Sequence, residues 1–211
     1  MIIQWLGHAC FAIQLQTGTT IITDPFDQSI GYPLPNLAAD YITISHQHYD
    51  HNAVKTILGE PVIIEKEGQY NFTEVNIVGI PSFHDSDGGK KRGKNIIYII
   101  EAEDLRLCHL GDLGHVLTLE QVKAIGDIDV LFVPVGGYFT IDHNQAAKIV
   151  EQLGPKCVIP MHYKTEYIDF PISGADEFLR HYPGYEKTQA FSITGKDLDL
   201  IPKVVLLELK K

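Results

Sequence analysis

Residues 46–51 read His-Gln-His-Tyr-Asp-His, so His46, His48, Asp50 and His51 offer four potential metal ligands within six positions. This stretch directly follows residues 41–45, a short apolar run that predicts a β-strand. In layered folds of strands and helices, binding sites form in the loops at the carboxyl ends of strands. The sequence therefore predicts a metal site in the loop that follows this strand.

The spacing of these four side chains favours two metal ions over one. His46 and His48 can face one side of the loop, while Asp50 and His51 can face a second position. A tetrahedral zinc needs only four ligands in total, and ligands from distant parts of the chain must also join. Imidazole suits Zn, Mn, Fe and Ni, and a neighbouring carboxylate tolerates the harder members of this group.

Three further candidate ligands follow predicted strands in the same way. They are His84 after residues 75–80, Asp112 after residues 105–110 and His162 after residues 156–161. Because each lies where a strand ends beside a polar loop, we expect all three to meet the 46–51 loop at one edge of the fold.

The composition is that of a folded protein and argues against several classes of function. The chain has 211 residues, 45% of them apolar, and a net charge of −10. This apolar content supports a hydrophobic core and excludes a disordered polyelectrolyte. The excess of acidic over basic residues argues against a nucleic-acid partner. We expect a single domain over residues 1–211.

The sequence also predicts a cytoplasmic location. No apolar run approaches the ~18 residues of a membrane span. The start of the chain lacks the basic region and cleavage site of a signal peptide. Cys10, Cys108 and Cys157 form an odd, widely scattered set, which fits a reducing compartment better than a disulfide framework.

The rest of the chain alternates predicted strands with predicted helices. Strands are predicted at 2–6, 10–16, 19–23, 41–45, 61–65, 75–80, 95–100, 105–110, 130–135, 156–161 and 204–207, and helices at 52–58, 118–125, 142–153 and 175–181. Asn52, Thr118 and Asp142 are the predicted N-caps of the first three helices, and Gln121 completes a capping box with Thr118. Sheets with helices to cover them give a layered α/β or α+β sandwich.

The order of these motifs resembles that of the metallo-β-lactamase superfamily. The chain has H-x-H-x-D-H at residues 46–51, then His84, then Gly111-Asp112, then His162. Four further stretches are similar to its ascorbate-6-phosphate-lactonase-like branch of small metal-dependent hydrolases: Trp5-Leu-Gly-His8-Ala, Thr23-Asp24-Pro25, residues 89–95 and residues 109–115. The N-acyl-phosphatidylethanolamine phospholipase D group shares the first two.

This resemblance implies an α+β fold of four layers, an αββα sandwich in which two β-sheets are flanked by helices. It implies two divalent metal ions at one edge of the sheets. The ligands that it assigns are His46, His48 and His84 for one ion, Asp50, His51 and His162 for the other, and Asp112 as a bridge between the two.

Two adjacent divalent ions predict hydrolysis. They can bridge a hydroxide, because coordination lowers the pKa of water from ~15.7 to near 7, and they can stabilise a developing oxyanion. Asp50 is the candidate general base, since it can accept the proton of that hydroxide. Asp50 and Asp112 offset only part of the metal charge, so a small anionic ester, lactone or phosphoester is favoured. We expect Zn first, with Mn, Fe or Ni as alternatives.

Five other residues are candidates for the surroundings of the site. His8 is either a hydrogen-bonded structural histidine or a group near the metals. Asp24 either caps a turn or orients a metal-bound histidine. Lys91 and Arg92 lie in a loop that is either solvated or folded back to hold a phosphate. Tyr163 is a candidate wall residue of the pocket.

The residues leave other classes of function open. A phosphodiesterase or nuclease acting on nucleotide or RNA ends uses the same motif, although this chain has no basic arm. A non-catalytic metal-binding module would use the same ligands in a closed site with no free coordination position. The ligand set also allows redox chemistry at a di-iron centre, which a test under strict anaerobic conditions would separate from hydrolysis. We expect a small-molecule substrate and no nucleic-acid partner, and a homo-oligomer is compatible with the sequence.

Overall fold

The computed structural model describes residues 1–210, which form fourteen strands and three α-helices. The strands are β1 (Ile2–Gly7), β2 (Cys10–Gln14), β3 (Thr20–Thr23), β4 (Tyr41–Thr43), β5 (Val62–Ile64), β6 (Gly68–Asn71), β7 (Asn76–Phe83), β8 (Lys94–Ala102), β9 (Leu105–His109), β10 (Val130–Pro134), β11 (Cys157–Met161), β12 (Glu186–Thr188), β13 (Phe191–Ser192) and β14 (Val205–Leu207). The helices are α1 (Leu119–Ile125), α2 (His143–Leu153) and α3 (Asp176–Leu179), and two 3-10 turns cover Gln28–Ile30 and Val54–Thr56.

Two six-stranded sheets form the body of the fold. The first has the strand order β13-β1-β2-β3-β4-β5 and the second β11-β10-β9-β8-β7-β6, while β12 and β14 form a separate pair. In the second sheet β9, β10 and β11 run parallel. Since β7 and β9 are both antiparallel to β8, strands β7, β9 and β11 all point the same way. The loops that follow these three strands therefore meet at one edge.

Strands β10 and β11 of the second sheet are buried on both faces. Every residue of β10 and β11 is buried, as expected for strands that are covered on both sides. Helices α1 and α2 contact this sheet at β7 and β10. The first sheet also packs against it, since Phe11 of β2 contacts Phe132 of β10 with ring centroids 4.6 Å apart. The predicted α+β sandwich is confirmed.

Two of the predicted helix caps are confirmed as well. The side chain of Thr118 accepts a hydrogen bond from the backbone N–H of Gln121, and that of Asp142 accepts one from Gln145. Both helices thus begin where the sequence predicts. None of the helices within residues 1–210 has the length and apolar character that crossing a lipid bilayer requires.

The helix predicted at 52–58 is wrong. This segment contains only the 3-10 turn Val54–Thr56, and Asn52 caps nothing there, because its side chain donates to the backbone oxygen of Gln47 at 3.1 Å. The backbone N–H of Leu58 donates to Leu37 O at 2.9 Å, which pulls the end of the segment into an extended conformation. Long-range hydrogen bonds override a local helical pattern here.

Three strands were not predicted, and one helix is shorter than predicted. The missed strands β6, β12 and β13 are short and mostly polar, without the alternation that marks a half-buried strand. Each is defined by its pairing with a neighbour, β7, β14 and β1 respectively. Helix α3 covers four residues, Asp176–Leu179, within the predicted range 175–181.

Hydrogen bonds tie the two sheets together beside the predicted site. Tyr98 of β8 is fully buried, and its hydroxyl lies 3.0 Å from Ile44 O and 2.9 Å from Ile64 O, both in the first sheet's half of the chain. The backbone N–H of Ile96 donates to Ser45 O at 2.9 Å. These bonds fix the start of the 46–51 loop relative to the second sheet.

We expect Tyr98→Phe to lower the free energy of unfolding by about 1–3 kcal/mol, because it removes a buried donor that the carbonyl groups of Ile44 and Ile64 share. Urea denaturation followed by circular dichroism measures the change. Tyr70→Phe is the matched control, since the hydroxyl of Tyr70 donates to Lys66 O in an exposed position and its loss should cost less than about 0.5 kcal/mol. Equal effects of the two variants would contradict this role of Tyr98.

Candidate metal centre

The seven predicted metal ligands lie together at one edge of the sandwich. Four of them, His46, His48, Asp50 and His51, lie in the loop after β4. His84 follows β7, Asp112 follows β9 and His162 follows β11. The common direction of β7, β9 and β11 brings the last three to the 46–51 loop.

The carboxylate of Asp112 lies at the centre of this cluster. Its Oδ2 atom is 3.2 Å from Nε2 of His162. It is 3.3 Å from Nε2 of both His51 and His84, and 3.9 Å from Nε2 of His46. Because Asp112 is only 2% exposed, water is almost excluded, and the imidazole nitrogens are its main neighbours.

Gly111 allows Asp112 to reach this position. The φ of Gly111 is +56°, and a Cβ there would lie 2.4 Å from Asn95 Oδ1 and 2.5 Å from Ser45 Cβ. Asn95 Oδ1 accepts a hydrogen bond from the backbone N–H of Asp112 at 2.9 Å. Any residue with a side chain would therefore both strain the backbone and displace the group that fixes Asp112.

Three overlapping sets of side chains around Asp112 could hold a metal ion. The ligand atoms of each set lie within 4.8 Å of one another. The sets are His46, His48 and His84; His46, His51 and Asp112; and His8, Asp50, His51 and His162. The first set is the one that the family resemblance assigns to one ion, and the third contains the three ligands that it assigns to the other ion, together with His8.

Buried atoms of the cluster fit a metal ion. Nε2 of His46, Nε2 of His51 and Oδ1 of Asp112 are buried and form no hydrogen bond within residues 1–210. Such atoms are rare in folded proteins, because leaving a buried polar atom unpaired costs about 1–3 kcal/mol. Imidazole nitrogens and carboxylates are the ligands that zinc and related divalent ions take. The donor set therefore suits the predicted metal.

Asp24 and Ser45 turn two imidazoles toward the centre. Oδ2 of the fully buried Asp24 accepts from His51 Nδ1 at 3.0 Å and from Ser45 Oγ at 2.6 Å. Since the Ser45 hydroxyl donates to Asp24, it accepts from His46 Nδ1 at 2.9 Å. In their neutral forms both imidazoles therefore carry the proton on Nδ1 and present the Nε2 lone pair to the centre.

His8 enters the cluster from the turn between β1 and β2. Its Nε2 lies 3.2 Å from Asp50 Oδ2. Its φ of +54° is a left-handed conformation that is unfavourable for a residue with a side chain. The carbonyl of His8 accepts from Trp5 Nε1 at 3.0 Å and from the backbone N–H of His162 at 3.1 Å. These bonds hold the turn so that the imidazole faces Asp50.

Burial and mutual charge set the protonation of the cluster. Burial lowers the pKa of His46 to about 3 and that of His8 to about 4, so both are neutral at pH 7. Burial acts in the same direction on His51, but the carboxylates of Asp112 and Asp50 outweigh it and raise the His51 pKa well above its usual value. The pKa values of Asp50 and Asp112 are lowered, because neighbouring imidazole charges outweigh their burial. Both carboxylates are therefore ionised and able to bind a cation.

A cavity of about 350 Å³ opens onto the cluster. Its wall includes five of the predicted ligands, His48, Asp50, His84, Asp112 and His162. It also includes the predicted Lys91 and Arg92, and three aromatic residues that sequence analysis did not single out, Tyr49, Phe139 and Phe170. The centre is thus accessible to a small molecule through this cavity.

Tyr163 does not line this cavity, contrary to its predicted role. Its ring stacks on Trp5 with centroids 5.2 Å apart, and both residues line a separate cavity. The physical reason is the packing of its ring against Trp5, which holds Tyr163 at that separate cavity. His109 also lies outside the cluster, because its Nε2 donates to Ala9 O at 2.9 Å while its Nδ1 accepts from the backbone N–H of Gly111.

Among the polar residues that support the site, the sequence analysis did not single out Ser45 and Asp85. Ser45 orients His46, as described above. Asp85 is buried, and its pKa is lowered to about 2, because hydrogen bonds from four backbone N–H groups outweigh its burial. Both are polar residues directly beside a ligand histidine at the end of an apolar strand, which is the signal that would have indicated them.

Comparison with known proteins gives one family and several relatives. The model of the family described as "Beta-lactamase superfamily domain" matches residues 2–162. A metal-dependent hydrolase from Pyrococcus horikoshii is 31% identical over 94% of this chain and 99% of its own length. Another, from Caldivirga maquilingensis, is also 31% identical, over 77% of this chain and 82% of its own.

A solved structure from Thermotoga maritima is similar over almost the whole chain. It is described as a candidate Zn-dependent hydrolase of the metallo-β-lactamase superfamily. It is 43% identical in sequence, covers 99% of both chains and superposes with a TM-score of 0.84. The likeness thus includes residues beyond the part matched by the family model.

We expect Asp24→Asn to lower the free energy of unfolding of the chelator-treated protein by about 3–5 kcal/mol. The amide lacks the negative charge that faces His51. Its NH₂ group would also face the buried N–H and O–H groups that donate to Asp24. Urea denaturation in the presence of EDTA measures the loss. Asp27→Asn is the matched control, because Asp27 caps the turn Gln28–Ile30 at the surface and Asn caps equally well. If the two variants were equally stable, Asp24 would not hold the cluster.

Proposed function

Because the chain belongs to the β-lactamase superfamily, we propose that it is a metal-dependent hydrolase with a dinuclear centre. The observation that carries this proposal is the buried Asp112 carboxylate, whose Oδ2 lies 3.2–3.3 Å from three imidazole nitrogens. Two of these nitrogens belong to different candidate ligand sets, that of His84 to the set with His46 and His48 and that of His162 to the set with Asp50 and His51. A single carboxylate between two such sets is suited to bridging two cations.

The ligands are proposed to divide between two divalent ions. His46, His48 and His84 would hold one, Asp50, His51 and His162 the other, with Asp112 between them. Zinc is the first choice, with Mn, Fe or Ni as alternatives. When bound, the two ions would supply a hydroxide nucleophile at neutral pH and would polarise the oxygen of the scissile bond.

Asp50 is proposed as the residue that accepts a proton during hydrolysis. It lines the cavity, and its pKa is lowered, so its carboxylate is free of a proton at neutral pH. His8 donates a hydrogen bond to Oδ2 of Asp50 at 3.2 Å, which limits the rotation of the carboxylate. His8 and Asp24 therefore position other groups, while Asp50 faces the substrate.

The proposed substrate is a small anionic ester, lactone or phosphoester. A cavity of about 350 Å³ lies at the lower end of the range for ligand pockets. Lys91 and Arg92 add positive charge at its wall. The same cavity argues against a non-catalytic module, because a structural metal site is closed by its own ligands. For a nuclease, the net charge of −10 is unfavourable.

We expect about two equivalents of metal per chain in protein purified without chelator, and fewer in His48→Ala. Elemental analysis by mass spectrometry measures both. His181→Ala is the control, since His181 is exposed and lies outside the ligand sets, and its metal content should equal that of the natural sequence. One tightly held ion that survives the loss of His48 would overturn the dinuclear proposal.

We expect the metal-loaded protein to hydrolyse members of a panel of aryl esters, lactones and phosphodiesters, and EDTA to abolish the activity. Asp50→Asn should reduce kcat by about 100-fold or more, as loss of a general base does. Metal content is measured on the same sample, because unchanged metal with lost activity separates the proton-accepting role from ligation. Full activity of Asp50→Asn at unchanged metal content would remove Asp50 from the mechanism.

A further inference from the structure

We infer that Arg92, Phe139 and Phe170 form a recognition subsite for a substrate that combines an anionic group with an apolar, aromatic body. This inference rests on the proposed hydrolase function and narrows its substrate class. Arg92 binds the anion, and the two rings hold the apolar part beside the metal ligands.

The charge distribution selects Arg92 from three consecutive basic residues. Lys90 is exposed and does not line the cavity. Lys91 lines it, but its ammonium pairs with Asp87 at 3.0 Å. Arg92 is half-buried, and within residues 1–210 it forms no ion pair with a carboxylate. Its positive charge is therefore available to a ligand in the cavity.

The guanidinium of Arg92 is held by an aromatic ring rather than by a counter-charge. It lies over the ring of Phe139, 5.4 Å from the ring centroid. Such a contact orients the guanidinium and leaves its N–H donors free. A guanidinium with free donors binds carboxylate and phosphate groups through two parallel hydrogen bonds.

The loop that carries Arg92 is fixed in advance of binding. One oxygen of Asp85 accepts from the backbone N–H groups of Asp87 and Gly89 at 2.8 and 3.0 Å. The other accepts from those of Lys91 and Arg92 at 2.9 and 2.8 Å. A loop ordered in this way loses little conformational entropy when a ligand binds.

The aromatic wall continues from Arg92 to the metal ligands. Phe139 contacts Phe170 edge to face with centroids 5.7 Å apart, and Phe170 contacts His8 in the same way at 5.8 Å. Both phenylalanines are half-exposed and line the cavity. An apolar group seated there would be flanked by Arg92 on one side and by the metal centre on the other.

Calorimetric titration of the metal-loaded full chain tests the subsite, with benzoate and phenylphosphonate as anionic probes and benzyl alcohol as the neutral one. Arg92→Gln should weaken binding of the two anions by about 10- to 100-fold. The affinity for benzyl alcohol and the metal content should stay unchanged. The two anions show whether a carboxylate or a phosphonate is preferred. Lys90→Gln, which removes a positive charge outside the cavity, should leave the affinity for both anions unchanged.

The aromatic part is tested with Phe139→Leu, which keeps an apolar side chain. It should reduce the preference for benzoate over acetate several-fold, because the ring contacts are lost. Melting temperatures of all variants, within a few degrees of the natural sequence, show that each is folded. Equal preference in Phe139→Leu and the natural sequence would remove the ring from the subsite.

The outcomes separate this inference from the proposed function. If Arg92→Gln binds both anions as tightly as the natural sequence, or if Lys91→Gln loses them instead, the subsite is overturned even when the enzyme hydrolyses esters. If Arg92→Gln loses the anions while the natural sequence hydrolyses nothing in the panel, the subsite stands and the proposed reaction fails.

Discussion

The structure depends on a carboxylate, Asp112, that is buried among imidazole rings. A charge in that position is tolerated only when the groups around it are fixed and complementary. Three residues of the site have left-handed backbone conformations, with φ of +54° at His8, +41° at Asp24 and +50° at His162. Such strain persists where surrounding contacts determine the backbone. Here those contacts are the hydrogen bonds of Asp24 and of the His8 carbonyl.

The centre also depends on how the two sheets meet. Its loops come from both, and the bonds of Tyr98 and Ile96 to the first sheet lie directly beside it. A small shift between the sheets would change the distances from Asp112 to His46 and His51, because those histidines follow β4 of the first sheet and Asp112 follows β9 of the second. The hydrophobic core therefore serves the chemistry by fixing this alignment.

The candidate metal ligands and the proposed recognition residues lie on different parts of the fold. The candidate ligands lie in the loops and strand ends that follow β4, β7, β9 and β11. The proposed recognition residues lie in loops, one of which is ordered by hydrogen bonds to the Asp85 carboxylate. This separation allows loops to change specificity without disturbing the centre, as is common when a single fold supports many activities.

The sequence by itself determined the candidate metal-ligand loop, the strand ends that carry the distant candidate ligands and the caps of two helices, because local spacing and polarity encode these features. Only the tertiary structure decided that residues 52–58 form no α-helix, that Asp24 and Ser45 orient the imidazoles, and that Tyr163 faces away from the cavity. It also decided that Arg92, and not Lys91, keeps an unpaired charge. Each of these depends on a contact between residues that are distant along the chain or on the direction of one side chain, and no local pattern encodes either.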